Sequence, residues 1–325
     1  MKLLAKDYKN KRILVVILGL FLFGLFGCAL KEGVFTKQHI GATEITPSEI
    51  QAEPALPESK TETQTAVPGV NEANTSPLQT HISSSEPLAT TNSQLPNNKY
   101  GWGLMRNNKH LQPEMPVSIS NRLSRYGAYW IGGPAEKVVY LTFDNGYENG
   151  YTAKILDALK ANNVKAAFFV TGHYLEDQPE LVKRMVNEGH LVCNHTDTHP
   201  SLPDISDEQI IKELQTVEQE YEKITGKKGM KYLRPPQGEY SERTLAVTKE
   251  LGYHNIFWSL ALADWVPLPG GPEEAYQSVM DNLHNGAIIL LHAVSKDDTE
   301  VMDRILKDTK AQGYTFKTLD DLVKQ

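Results

Sequence analysis

Cysteine is nearly absent from this 325-residue chain, with Cys28 and Cys193 the only two. No disulfide framework can hold the fold, so a packed core must. Positive charge is also short, since 33 Lys and Arg stand against 40 Asp and Glu. No basic cluster occurs beyond the first dozen residues, and no basic run is interleaved with aromatics, which excludes nucleic acid as a partner. Residues 36–99 contain no Phe, Tyr or Trp at all. No repeat recurs at solenoid periods, and no Gly-rich loop follows a strand to cradle a phosphate.

The aromatic-free stretch is rich in Ser, Thr, Gln, Glu and Asn and is broken by seven prolines. It cannot bury enough apolar surface to offset its ordering entropy, so residues 34–99 are expected to form a disordered tether. Its root-mean-square reach would be about 45 Å. Before it, residues 1–33 carry five basic groups ahead of an uncharged apolar run over residues 13–30, the layout of an export signal. The 18-residue run is borderline for a membrane span, so an uncleaved anchor stays open beside a cleaved signal. Its end, "LFGC" at 25–28, resembles a bacterial lipoprotein signal with Cys28 as the acylated residue, although Phe26 is bulkier than that pattern usually takes. Either outcome implies a chain tethered to the outer face of the membrane through its N-terminus. With Cys28 spent there, Cys193 reads as a small buried hydrophobe.

From Tyr100 onward short apolar runs alternate with helical periodicities. Strands are predicted at 137–143, 165–172, 190–195, 230–234, 255–260, 286–292 and 314–319, with helices at 151–162 and 179–187, then from Ser206, and near 241–251, 272–284 and 298–312. Such alternation argues for parallel pairing in an α/β fold, either a barrel or an open doubly wound sheet. Unusual polar residues follow the strands: Asp144, His195, Arg234, Asp264 and His292. In a barrel these would meet at the mouth formed by the strands' C-terminal ends.

The motifs "TFDNG" (142–146), "HTDTH" (195–199), "RPPQG" (234–238), "ADW" (263–265) and "LLH" (290–292) occur in an order that resembles the polysaccharide deacetylases, the NodB-homology or family 4 carbohydrate esterases. The resemblance spans residues 100–325 and implies a distorted (β/α) barrel of about seven parallel strands. "GWG" at 101–103, "TFDNGYENGYT", "FFVTGH", "YLRPP" and "GYTFKTLDDL" resemble more narrowly the delta-lactam-biosynthetic de-N-acetylases, which deacetylate N-acetylmuramic acid in peptidoglycan.

An acetamide is a poor electrophile with a poor leaving group, so its hydrolysis needs an activated water, a stabilised oxyanion and a proton donor. The resemblance implies Asp144 as general base, His292 as general acid, Arg234 as the partner of Asp144, and Asp264 as the carboxylate behind His292. It also implies a divalent metal, zinc first, on His195 and His199. The third ligand position holds Asn145, where the wider family has aspartate; a neutral amide binds zinc more weakly. Gln237 stands where the subfamily shows a basic residue. Tyr147, Gln237 and Trp265 are the candidate substrate contacts, and Trp130 and Tyr151 could also stack on sugars.

Taken singly, each residue has a plainer reading. Asp-Asn-Gly is a common turn, Arg234 could form a surface ion pair, and Asp264 could cap a helix. The peptidoglycan glycan strand is the expected partner and a monomer the expected state. N-acetylglucosamine is the alternative substrate, and a glycan-binding pseudoenzyme the alternative class.

Overall fold

The structure, a computed structural model, describes residues 94–105 and 109–324. The expected signal with Cys28, and all but the last residues of the expected tether, lie outside that range. Among the described residues no helix is long and apolar enough to cross a membrane.

Ten strands are described: β1 (Tyr100–Gly101), β2 (Val138–Asn145), β3 (Ala167–Val170), β4 (Leu191–Asn194), β5 (Tyr232–Leu233), β6 (Glu239–Tyr240), β7 (His254–Asn255), β8 (Leu260–Ala261), β9 (Ala287–His292) and β10 (Thr315–Phe316). Seven of them pair in the order β7-β5-β4-β3-β2-β9-β8, all parallel, and β10 lies parallel against the start of β2. Parallel strands are covered on both faces, which accounts for the continuously buried run of β2. Val139, Leu141 and Phe143 face the helices. Val138 and Tyr140 alternate with them and pack inside with Ala167, Phe169, Cys193, Tyr232, Ile256 and Ile288.

The sheet's two edges, β7 and β8, are joined by residues 256–259 alone. Five residue steps span at most about 18 Å. Seven strands laid flat would separate their edges by about 29 Å, so the sheet has to curl. The result is a distorted (β/α) barrel, and the open-sheet alternative is set aside. The same link explains why 255–260 is not one strand. Its backbone serves the gap, with Phe257 N–H donating to the Tyr129 carbonyl (2.8 Å) and Ser259 N–H to that of Ile288 (3.0 Å).

Helix boundaries follow local chemistry. Asp207–Thr225 opens with a reciprocal Ser206–Gln209 capping box, buries Ile210, Leu214, Val217 and Tyr221, and stops at the left-handed Gly226. The helices Val117–Arg125 and Gly172–Asp177 are additional to those predicted. The second truncates the expected 165–172 strand, because the Thr171 side chain caps Tyr174 N–H. Residues 314–319 likewise shorten to β10, with Thr318 capping the short helix Leu319–Leu322. A strap formed by β1 pairs antiparallel with β6; next to it Trp102 stacks on Phe257 at 4.6 Å and donates Nε1–H to the Trp258 carbonyl at 3.0 Å.

Gly286 precedes β9 with φ +75°, and a Cβ there would meet the Gly132 carbonyl oxygen at 2.5 Å. Gly286→Ala should cost about 3 kcal/mol or more, combining the left-handed penalty with overpacking against backbone. Gly252 has φ +91° and open space around it, so Gly252→Ala should cost only about 1–2 kcal/mol. Urea unfolding measures both, and equal losses would contradict the close approach.

His190 accepts the Ala166 N–H on Nδ1 (3.1 Å), and burial with the nearby Lys165 charge lowers its pKa to about 4. The unfolded imidazole takes its proton near pH 6.5 while the folded one resists, so stability present above that pH drains away as pH falls toward 4. His190→Gln should flatten this limb of the stability–pH curve.

Candidate active site

His292 ends β9 and stands in direct register with Asp144, the last residue but one of the neighbouring β2. Both are buried, as are Asn145, His195, Arg234 and Asp264; His199 and Trp265 are half-buried.

Arg234 follows β5 and is completely buried. Its Nη1 donates to Asp144 Oδ1 (2.5 Å), Nη2 to Thr142 Oγ1 (2.8 Å) and Nε to the Ile256 carbonyl (3.1 Å). Thr142 passes its own proton to the Ile289 carbonyl (2.7 Å). The guanidinium plane lies 4.2 Å from the Phe169 ring centroid. A planar fork reaching three acceptors is a task lysine cannot perform.

His195 approaches the same carboxylate from the end of β4, its Nε2 3.6 Å from Asp144 Oδ2. Its Nδ1 is 2.8 Å from the Arg234 carbonyl. A carbonyl only accepts, so Nδ1 carries a proton. His199 meets His195 edge to face at 4.8 Å between centroids. The loop carrying them is wound tightly, with Thr196 at φ +67° and His199 at φ +58°. Asn194 Oδ1 accepts the Thr196 N–H, and Asn194 Nδ2 is anchored on the Leu214 carbonyl and the Tyr253 hydroxyl.

The pleat turns Asn145 away from Asp144, toward the helix layer. Its Nδ2 faces Thr152 Oγ1 (3.4 Å), which donates to Glu148 Oε2 (2.5 Å), as does the Tyr174 hydroxyl (3.2 Å). Asn145 Oδ1 is buried and accepts no hydrogen bond. Two imidazoles and a neutral amide oxygen are a donor set whose chemistry suits only weak binding of a cation. No group of three His, Cys, Asp or Glu is arranged for a metal among the described residues.

On the other side of the mouth, His292 Nδ1 and Asp264 Oδ1 are 2.7 Å apart, and the His292 N–H donates to Asp264 Oδ2, also at 2.7 Å. Burial alone would raise the Asp264 carboxyl. The charge of His292 and hydrogen bonds from Asp298 and His292 instead hold it below the ordinary carboxylate value. Nδ1 is therefore committed to Asp264, so a proton exchanged with substrate would have to pass through Nε2. Trp265 packs edge-on to His292 at 5.0 Å.

Tyr147 is half-buried in the turn after β2, and Gln237 is exposed with φ +59°. Neither is hydrogen-bonded to the buried charged group among the described residues. Trp130 leans on Trp102 at 5.9 Å within the strap's aromatic cluster, and Lys154 lies over the Tyr151 ring. Thr142, Asn194, Glu148 and Asp298 are site-supporting residues that the motifs did not single out. Thr142 alone had a usable signal, two positions before Asp144 on the same strand face.

The polysaccharide deacetylase family model matches residues 132–256. Over 230 residues the chain is 47% identical to the peptidoglycan-N-acetylmuramic acid deacetylase PdaA of Bacillus subtilis, covering 70% of this chain and 88% of that protein. The solved structure of that PdaA, described as a family 4 carbohydrate esterase, superposes with TM-score 0.68 over 70% of this chain and 98% of its own. A peptidoglycan-N-acetylglucosamine deacetylase of Bacillus cereus is 34% identical, over 60% of this chain and 72% of that protein.

Arg234→Met would strand the Asp144 charge in the interior and should cost about 3–5 kcal/mol in urea unfolding. Adding Asp144→Asn removes that charge, so the double variant should be more stable than Arg234→Met alone. Additive losses would deny the pairing.

Proposed function

Because the chain belongs to the polysaccharide deacetylase family, we propose that it hydrolyses the N-acetyl group of N-acetylmuramic acid in peptidoglycan, releasing acetate and a free sugar amine that can close a delta-lactam. The observation that carries this reading is the in-register pair of Asp144 and His292, each held by its own buried partner.

In the proposed reaction Asp144 accepts a proton from water as that water attacks the acetamide carbonyl carbon. Arg234 holds the carboxylate in place, since its two arms fix Asp144 and Thr142 together. His292, charged and oriented by Asp264, gives its Nε2 proton to the nitrogen as the carbon–nitrogen bond breaks. Water supplies the acetate oxygen and both protons accounted for in the products, so the reaction balances without a redox partner.

A divalent cation, zinc by preference, is proposed on His195 and His199 with Asn145 Oδ1 as the weak third ligand. When bound it would polarise the acetyl oxygen and the attacking water. Trp265, Tyr147 and Gln237 are proposed to contact the glycan. The muramic assignment draws on the nearer of the two named relatives. The chain is further proposed to act as a monomer in the cell wall, exported and held at the outer membrane face by acylated Cys28 or an uncleaved anchor, with residues 34–99 as tether.

Residues 100–325 incubated with wall glycan should release acetate, and mass spectra should show muramic residues lighter by one acetyl group. Asp144→Asn and His292→Ala should each lower turnover at least about a thousandfold. Acetyl loss confined to glucosamine would reject the muramic reading. No acetate release with or without added zinc, but retained glycan binding, would instead identify a pseudoenzyme.

A further inference from the structure

The helix Lys296–Ala311 begins against the acid side of the site, and its third residue is an aspartate with no outward-facing role. Asp298 is completely buried, its N–H is capped by Ser295 Oγ (3.1 Å), and neither carboxyl oxygen receives a hydrogen bond from any ordinary donor. Its carboxyl instead lies within hydrogen-bonding reach of Asp264. Both Asp264 oxygens already accept from His292. Two ionised carboxylates are acceptors only, so contact between them demands one proton.

The groups acting on Asp298 decide where that proton resides. Asp264 faces it from the loop after β8, and Asp297 from its own helix turn; both are acidic. Asp297 is engaged on the Leu268 N–H (3.0 Å), and His292, the nearby cation, is taken by Asp264. The helix N-terminus favours an anion at Asp298 only modestly. Burial beside a like charge works in the opposite sense and is the larger effect, raising the Asp298 carboxyl well above the ordinary value while Asp264 stays below it.

We propose that Asp298 is a positioning residue that stays protonated at neutral pH and donates its hydrogen bond to Asp264, so that Asp264 remains a carboxylate with both oxygens fixed on His292. With the proton on Asp298, the Asp298–Asp264–His292 chain is electrically neutral whenever His292 carries its catalytic proton. The role in turnover rests on the deacetylase reading above; the shared proton does not.

Infrared difference spectra at neutral pH test the proton directly. A carboxylic-acid carbonyl band that shifts in deuterium oxide should be present in the wild-type protein and missing from Asp298→Asn. Absence of the band, or its persistence in that variant, overturns the proposal. The pH dependence of kcat/KM tests the role. Asp298→Leu removes the donor and should lower kcat about tenfold or more. Asp298→Asn restores a neutral donor and should recover most of that loss, with the alkaline limb unmoved. Were Asp298 ionised, removing its charge would shift that limb toward acid by about one unit or more, since His292 would lose a stabilising anion. The band present without turnover on any wall glycan would sink the deacetylase reading and leave the proton assignment standing.

Discussion

A fully buried guanidinium organises this molecule. Arg234 leaves the end of β5 and bonds across the barrel to Asp144 and Thr142 of β2 and to the carbonyl of Ile256 after β7. An unpaired charge at that depth would be costly, so these backbone segments must converge for the fold to form at all. The consequence is chemical as well as structural, because the acceptor that satisfies Arg234 is the carboxylate proposed as base.

The same mouth holds three residues in the left-handed region without being glycine: Thr196, His199 and Gln237. A β-branched threonine there is strained. Its neighbours over-determine it, since Asn194 Oδ1 and Gly172 N–H fix the Thr196 amide and carbonyl, and Thr196 Oγ1 accepts the His199 N–H. Strain held in this way sets where the two imidazoles point. In the turn after Arg234, Gly238 has φ +65°, and a Cβ there would strike Trp258 and Trp102, so these aromatics press directly on the turn that follows the arginine.

Two differently tuned halves face each other across adjacent strands. Asp144 is paired with a permanent cation, whereas His292 is backed by a carboxylate held below its ordinary value. The two pairings are separate, one carboxylate with a guanidinium and one imidazole with a carboxylate, as the proposed acid–base hydrolysis of an amide needs. Asn145 belongs to neither half. The pleat sends it to the helix layer, where Thr152, Glu148 and Tyr174 surround its amide.

The sequence by itself determined the alternation of strand and helix, the helix start at Ser206, and the placing of Asp144, His195, Arg234 and His292 just beyond or at strand ends, because those features depend on period, capping chemistry and local order. Its periodicity did not separate barrel from open sheet, and only the motif resemblance implied the barrel; the physical reason is four residues bridging two sheet edges, a distance constraint invisible until strand order is known. Nor could it foretell the break in 255–260, the helix at Gly172–Asp177, or the support given by Asn194 and Asp298. Asp298 reads locally as an acid in a helix's first turn. Only when tertiary packing brings it against Asp264, 34 positions earlier in the chain, does a proton have to be shared, since the charge state of a buried carboxyl depends on what folding places beside it.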